Sequence, residues 1–531
     1  MRPAACAAAA PCRTGTSSPV SPSTTSWSRS RTAANSASGG FHPAPPVPIP
    51  CLPPSHYSRL MLTSTFCRAV AASGTAARLR PALIGLLLGA GPAAQAQQPA
   101  WTWRLHTAES SPASVQQVAQ DAAGNSYVTG WFTRQLQLGS HTLQSAGGTD
   151  IFIAKISADG QWQWAVAAGG TSSDAGQGIA VAADGSITVA GSFAATAQFG
   201  PLTAQSNGGD DVFVGVLSAS GEWRTLTTAG GPEQDQATAL ALDARQQAVV
   251  AGRFRGSAAF GATTLSSQAD SEAFLAKLSP QGGWQWARQS VGQEQTVISS
   301  LGLDAAGSVY AAGYFAGTTR FGHAALTTSG THDAFVAKAS GDGRWQWATA
   351  AGGPSTDYAQ AIAVSPQGNV FVTGSFSGQA SFGSLQLSSR GGDDAYVARL
   401  SAQGGWQWVQ TLQGPALEEG RAICIGPGES LYVAGRFSAA ARYGPTGAPA
   451  CQAGTDGFVA RLTSEGQWLD FLGTGGPGAD AVRSLTLGLR GQVLVGGVAE
   501  TAAEATAGGA TRLRLFAGSI IFPVRITADT Y

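Results

Sequence analysis

A tryptophan that returns every 61 residues, a glycine column in step with it and four short extended runs per unit predict an all-β chain. The predicted fold class is a seven-bladed β-propeller of four-stranded blades over residues 101–531, with the N-terminal strand completing the last blade. The tryptophans are Trp101, Trp162, Trp223, Trp284, Trp345, Trp406 and Trp468, 61 residues apart five times and then 62. Glycine recurs at Gly130, Gly191, Gly252, Gly313, Gly374, Gly435 and Gly497, and an aromatic at Phe152, Phe213, Phe274, Phe335, Tyr396 and Phe458. Leu138, Phe199, Phe260, Phe321, Phe382 and Tyr443, each followed by glycine, form one more column.

The first element in chain order is a leader. Residues 1–60 are rich in Ser, Pro, Ala and Arg without apolar periodicity, and read as a disordered, over-extended start ahead of a true initiator at Met61. After Met61, Arg68, Arg78 and Arg80 supply a charged region, residues 82–88 (ALIGLLL) an apolar core, and Ala94-Gln95-Ala96 a cleavage site, so residues 61–96 read as a signal peptide. That run is shorter than the ~20 residues needed to span a bilayer. The expectation is export to the periplasm, cell surface or medium without a membrane span. Charge divides the chain at the same place: residues 1–100 hold eight Arg and no acid, leaving 31 − 8 = 23 bases against 31 acids, a net of −8, for residues 101–531. An acidic body argues against nucleic acid as a partner, and 71 glycines with 12% charged residues argue against a helical bundle.

The repeated unit comes next. In its fifth copy the extended runs are residues 360–365 (QAIAVS), 369–376 (NVFVTGSF), 395–400 (AYVARL) and 406–411 (WQWVQT). Pro366-Gln367-Gly368 makes the first turn, and a Gly-rich connection ending at Gly391-Gly392-Asp393-Asp394 leads to the third run. The runs are almost continuously apolar or small, as sheets covered on both faces require. The first-strand column occurs seven times, near Val115, Gly178, Thr238, Ser299, Gln360, Arg421 and Arg483. The third-strand column reaches seven when residues 522–526 (FPVRI) are matched to 458–462 (FVARL). The tryptophan strand reaches seven only with the copy at residues 101–107, which therefore has to pair with the last blade and close the ring.

Residues 361–364 (AIAV), 368–376 (GNVFVTGSF) and 333–338 (DAFVAK) resemble the bacterial seven-bladed β-propeller repeat (SBBP) family, and the resemblance extends over nearly all of residues 101–531. It implies an extracytoplasmic propeller, often part of a larger surface protein, and carries over no catalytic motif. Two places depart from the pattern: residues 499–507 (AETAAEATA) replace an aromatic-glycine turn, and residues 293–296 (QEQT) replace a Gly-Gly-Pro loop.

Acids dominate the candidate chemistry. Asp174, Asp235, Asp357, Glu418 and Asp480 form one column, and Asp150, Asp211, Glu272, Asp333, Asp394 and Asp456 another, both in the long connections that emerge on one face. Either they ring that face as a binding surface for a cation or a basic partner, or each satisfies turn N–H groups. In the second reading Lys155, Lys277, Lys338, Arg399, Arg461 and Arg525 on the third strands assist them. No D-x-D-x-D-G loop is present, so no cofactor is expected and calcium is the one the acids leave open. Trp162/Trp164, Trp284/Trp286, Trp345/Trp347 and Trp406/Trp408 lie two apart on one strand face and read as inter-blade packing before sugar platforms. Cys424 and Cys451 form either one disulfide, worth about 3 kcal/mol, or two inert thiols. The body has four histidines, His106, His141, His323 and His332, and no HExxH, GxSxG, CxxC or P-loop spacing. The expected function is a monomeric binding or scaffolding module for a protein or glycan ligand, not an enzyme, acting through the long-loop face and the channel mouth. A propeller lyase or glycan hydrolase and a sugar-binding lectin are the alternatives.

Overall fold

Four antiparallel strands form in each unit because tight turns join the first strand to the second and the third to the fourth. In the fifth unit the strands are Asp357–Val364, Val370–Phe376, Asp394–Leu400 and Trp406–Gln413. Gly368 and Gly404, at φ +82° and +84°, close the turns after the first and third strands, donating to Ser365 O and Ser401 O at 2.9 Å. The computed structural model describes residues 99–106, 111–451, 454–476, 478–488, 491–500 and 513–521. The expected leader and signal peptide, residues 1–96, and residues 522–526 lie outside the described residues.

Seven such four-stranded units occur among the described residues, each ordered first to fourth strand, the first two joined edge to edge through Trp162–Gly170 and Ile187–Phe199. The first strands are Ala113–Gln120, Ala175–Val181, Gln236–Leu242, Thr296–Leu303, Asp357–Val364, Glu419–Ile425 and Ala481–Leu487. Each packs beside the next, and the last packs beside the first, so they form a closed inner ring. Ala100–His106 pairs antiparallel with Leu513–Ile521 and supplies the fourth strand of the last sheet. This is a β-propeller fold.

The third strand of the last blade lies earlier than residues 522–526. Phe516 stands opposite Gly497, as Phe458 stands opposite Gly435 and Tyr396 opposite Gly374. An aromatic ring covering a missing Cβ across the ladder sets this register, whereas the match of FPVRI to FVARL followed sequence alone. A second departure lies in the connection from second to third strand. Gln379–Phe382 and Leu385–Ser388 form a hairpin there, and Phe382 at its tip packs edge-on against Trp406 at 5.0 Å. The aromatic-glycine column is thus a row of hairpin tips seated on tryptophans.

Seven apolar clusters fill the joints between neighbouring blades, one of them joining Val115 and Phe132 of the first blade to Leu494 and Ala517 of the last. The period of two along a strand sends alternate residues to opposite joints. Ile423 and Ile425 enter the joint between blades five and six, and Cys424 the joint between six and seven. Cys451 packs in the former joint, so the sheet of blade six separates the two sulfurs and no disulfide joins them. Burial pushes the Cys424 thiol up to about 12, which makes it inert. The tryptophans tie the same joints from outside. Trp284, Trp345 and Trp406 donate their indole N–H to Thr228 O, Gln289 O and Ala350 O of the preceding blade, and Trp164, Trp347 and Trp408 to Ala219 O, Ala402 O and Ser464 O of the following one, all at 3.0–3.2 Å.

Candidate functional site

The acids do not ring the surface. None of the eleven is more than 4% exposed. Asp357 accepts N–H groups from Gly353 at 2.8 Å and Ser377 at 3.3 Å, Asp174 from Gly170 and Ala194 at 2.7 and 3.0 Å, and Asp235 from Gly231 and Arg255 at 2.7 and 3.2 Å. Ser438 N–H donates to Glu418 at 3.0 Å and Gly476 N–H to Asp480 at 2.5 Å. In the other column Asp150, Asp211, Asp333 and Asp394 each accept from the backbone four residues earlier, and Glu272 from Gly292. Asp456 is buried in the same column. The expected carboxylate face is therefore corrected to a set of internal latches: orphan N–H groups of the long loops draw the carboxylates inward. Glycine lets the loop lie on them, since a Cβ on Gly352 would fall 2.7 Å from Asp333 Oδ1 and 2.8 Å from Asp357 Oδ2.

Burying these carboxylates raises their pKa values. Burial pushes Asp357 and Asp235 up to about 7 and Asp174 up to about 6, against their donated N–H groups, with the charges of Asp333 and Asp393, Asp211 and Glu233, and Asp150 and Asp210 adding to the rise. Burial raises Asp150, Asp394 and Glu418 as well, and the charge of Asp394 adds to the rise of Glu418. Among the described residues the third-strand cations do not assist. Lys277 and Lys338 sit at the opposite face, paired with Asp243 at 2.7 Å and Asp304 at 3.5 Å in the turns after the first strands, and Arg461 pairs with Asp470. Among the described residues no three His, Cys, Asp or Glu side chains are grouped to hold a metal ion, and no helix is long and apolar enough to cross a membrane.

The inner ring carries a column that the sequence reading used only to mark strand starts. Each first strand contains a β-bulge whose extra residue is Gln116, Gln177, Thr238, Ser299, Gln360, Arg421 or Arg483. All seven line the central channel. The glycine column is the steric counterpart of the bulge: a Cβ on Gly374 would fall 1.9 Å from Tyr358 O, and one on Gly435 1.8 Å from Glu419 O. The signal was in the sequence, as a polar position in step with the tryptophans between small and apolar neighbours, but alternation alone assigns a bulged residue to the wrong face.

On the long-loop side of this ring the channel widens into a cavity of about 490 Å³, with Gln236, Arg253, Val297, Tyr314 and Tyr358 joining the lining. Here the repeat breaks down and chemistry is specific to each blade. Arg253 donates to Gln236 Oε1 from Nε at 3.0 Å and Nη2 at 2.8 Å, and Gln236 donates to Asp210 at 2.6 Å. Tyr314 meets Tyr358 edge-on at 4.8 Å and His332 at 5.6 Å. Glu419 takes Arg421 and Arg436 on one oxygen, both at 2.8 Å. Arg483 has no ion pair among the described residues, and its buried Nε has no hydrogen-bond partner. Burial, together with repulsion from Arg421 and Arg436, lowers its pKa to about 10.

Comparison with known families matches residues 346–375 to the beta-propeller repeat SBBP. The chain carries an SBBP repeat. The matched SBBP segment runs from the fourth strand of blade four to the second strand of blade five, and so contains one carboxylate latch (Asp357), one channel residue (Gln360) and one bulge glycine (Gly374). No curated protein matches the chain. Among solved structures, a protein of unknown function from Dyadobacter fermentans aligns at 11% identity and TM-score 0.36, over 80% of this chain and 98% of its own. A catalytically inactive virginiamycin B lyase from Staphylococcus aureus with quinupristin aligns at 8% identity and TM-score 0.36, over 78% and 98%. A protein of unknown function from Bacteroides caccae aligns at 9% identity and TM-score 0.29, over 56% and 82%.

Proposed function

We propose that this chain is an exported seven-bladed propeller that works as a binding module and takes its ligand at the channel mouth on the long-loop face. One observation carries the reading: in a ring built from similar units, the cavity lining changes from blade to blade, with Arg253, Tyr314, Tyr358, Arg421 and Arg483 converging there. Export is supported by the signal-like segment at residues 61–96. The sugar-platform reading loses support because the paired indoles are engaged between blades. An acid-pair hydrolase loses support for a similar reason, its carboxylates being occupied by loop N–H groups.

A second reading, catalysis at the same mouth, is favoured by His332, whose buried Nδ1 has no partner and whose ring lies beside Tyr314 and Tyr358. The test is a screen of the protein exported by cells expressing the full chain against cell-surface glycans and peptides, with each hit followed for turnover. The expected outcome is saturable binding, lost in Tyr358→Ala, without chemical change in the ligand. Turnover abolished by His332→Ala would replace the binding module with an enzyme, and retention of the protein inside the cell would overturn export.

A further inference from the structure

The body of the chain carries a net charge of −8, yet the cavity at the channel mouth is lined by three arginines and no carboxylate. We infer that this cavity is an oxyanion site, which takes a small ligand through a carboxylate or phosphate group held between Arg421 and Arg483. The inference rests on reading the mouth as the ligand site and names what that ligand must present. Arg421 and Arg483 come from adjoining blades at equivalent bulge positions. The other five blades place Gln, Thr or Ser at that position on the same backbone, so the fold itself does not require a cation there.

The local charges do not balance. Glu419 is shared by Arg421 and Arg436, so one carboxylate answers two guanidinium groups and none is left for Arg483. Burying an ionised donor without an acceptor is unfavourable, and an incoming oxyanion removes that cost while completing a two-armed guanidinium contact. Gln360 and Gln116 flank the two arginines on the neighbouring blades, and Gln360 donates its amide to the other oxygen of Glu419 at 3.4 Å, so that carboxylate is fully engaged. A cavity of about 490 Å³ limits the ligand to metabolite size or to one end of a longer chain.

The experiment is calorimetric titration of the exported protein at low ionic strength with citrate, with inorganic phosphate and with glucose as the neutral control. Saturable binding of citrate alone assigns a carboxylate ligand, phosphate alone a phosphate ligand, and both a general oxyanion site. Arg483→Gln is expected to weaken the binding at least about tenfold. Arg483→Lys, which keeps the charge and loses the fork, is expected to weaken it severalfold and carries the test if the Gln variant does not fold. No saturable anion binding, or binding that both variants leave unchanged, overturns the inference. If a neutral glycan or peptide binds in a Tyr358-dependent way while neither anion does, the oxyanion site fails and the binding module stands.

Discussion

Gly374 and Tyr358 O meet across the inner ladder with no room for a methyl group, and six more glycines repeat that approach around the ring. Gly374→Ala should therefore cost about 2–4 kcal/mol and lower the melting temperature, whereas alanine at the exposed Gly447, which has open space around its missing Cβ, should be nearly silent. The buried acids make a second prediction at this scale. An acid with a folded-state pKa above its unfolded value binds its proton more tightly in the fold, so stability falls as pH rises from about 4 through the folded value. Asp174 at about 6, and Asp235 and Asp357 at about 7, all act in this direction. Burial also raises Asp243 and Asp304, but Lys277 or Lys338 and donated N–H groups outweigh it and hold both below the ordinary carboxylate range. Their contribution is complete above about pH 4 and is lost as pH falls through the lowered values. Melting temperature should peak near pH ~4 and fall toward pH ~8, and Asp357→Asn should flatten that fall; a steady rise across the interval would contradict it. At this scale the sequence displayed the glycine and acid columns by spacing. It did not display where they point, because an acid after Gly-Gly suits an exposed rim and a buried latch equally well.

Strand Ala100–His106 is joined to the rest of its sheet through Leu513–Ile521, at the far end of the chain. Removing residues 100–106 should expose the edge of the last blade and part of the joint to which Leu105 contributes, and unfold the protein well below the parent melting temperature. An unchanged melt would mean that the last blade stands on three strands. The four strands of each unit were legible because turn residues bracket apolar runs at a fixed step. The hairpin Gln379–Phe382 with Leu385–Ser388 was not: its strands are four residues long and mix polar with apolar side chains, as Gly- and Ser-rich loops do. Misplacing the last third strand had a related cause. Phe516 and Phe522 are both aromatic, and only pairing with Gly497 separates them.

Around the whole ring, seven joints are built alike and one mouth is not. The repeat announced the architecture and the closure of the chain ends, since 61-residue periodicity records what every blade shares. Ligand chemistry resides in what the blades do not share, and a net charge of −8 summed over the body conceals a cationic lining at the axis. Eleven of the acids are spent inside loops, and three of the arginines line the mouth of the channel.

The bulges give this last point a broader meaning. A residue extruded from the ladder makes no cross-strand pair, so its side chain is turned to the channel, although the Thr238 hydroxyl still donates to Ala251 O at 3.2 Å. Gln116, Gln177, Thr238, Ser299, Gln360, Arg421 and Arg483 are thus seven sockets on one rigid collar, and recognition can be rewritten there by exchange of single side chains while the blades stay as they are. Gln116, Gln177 and Ser299, which among the described residues hold no side-chain hydrogen bond to the facing strands, are the sockets most open to such exchange.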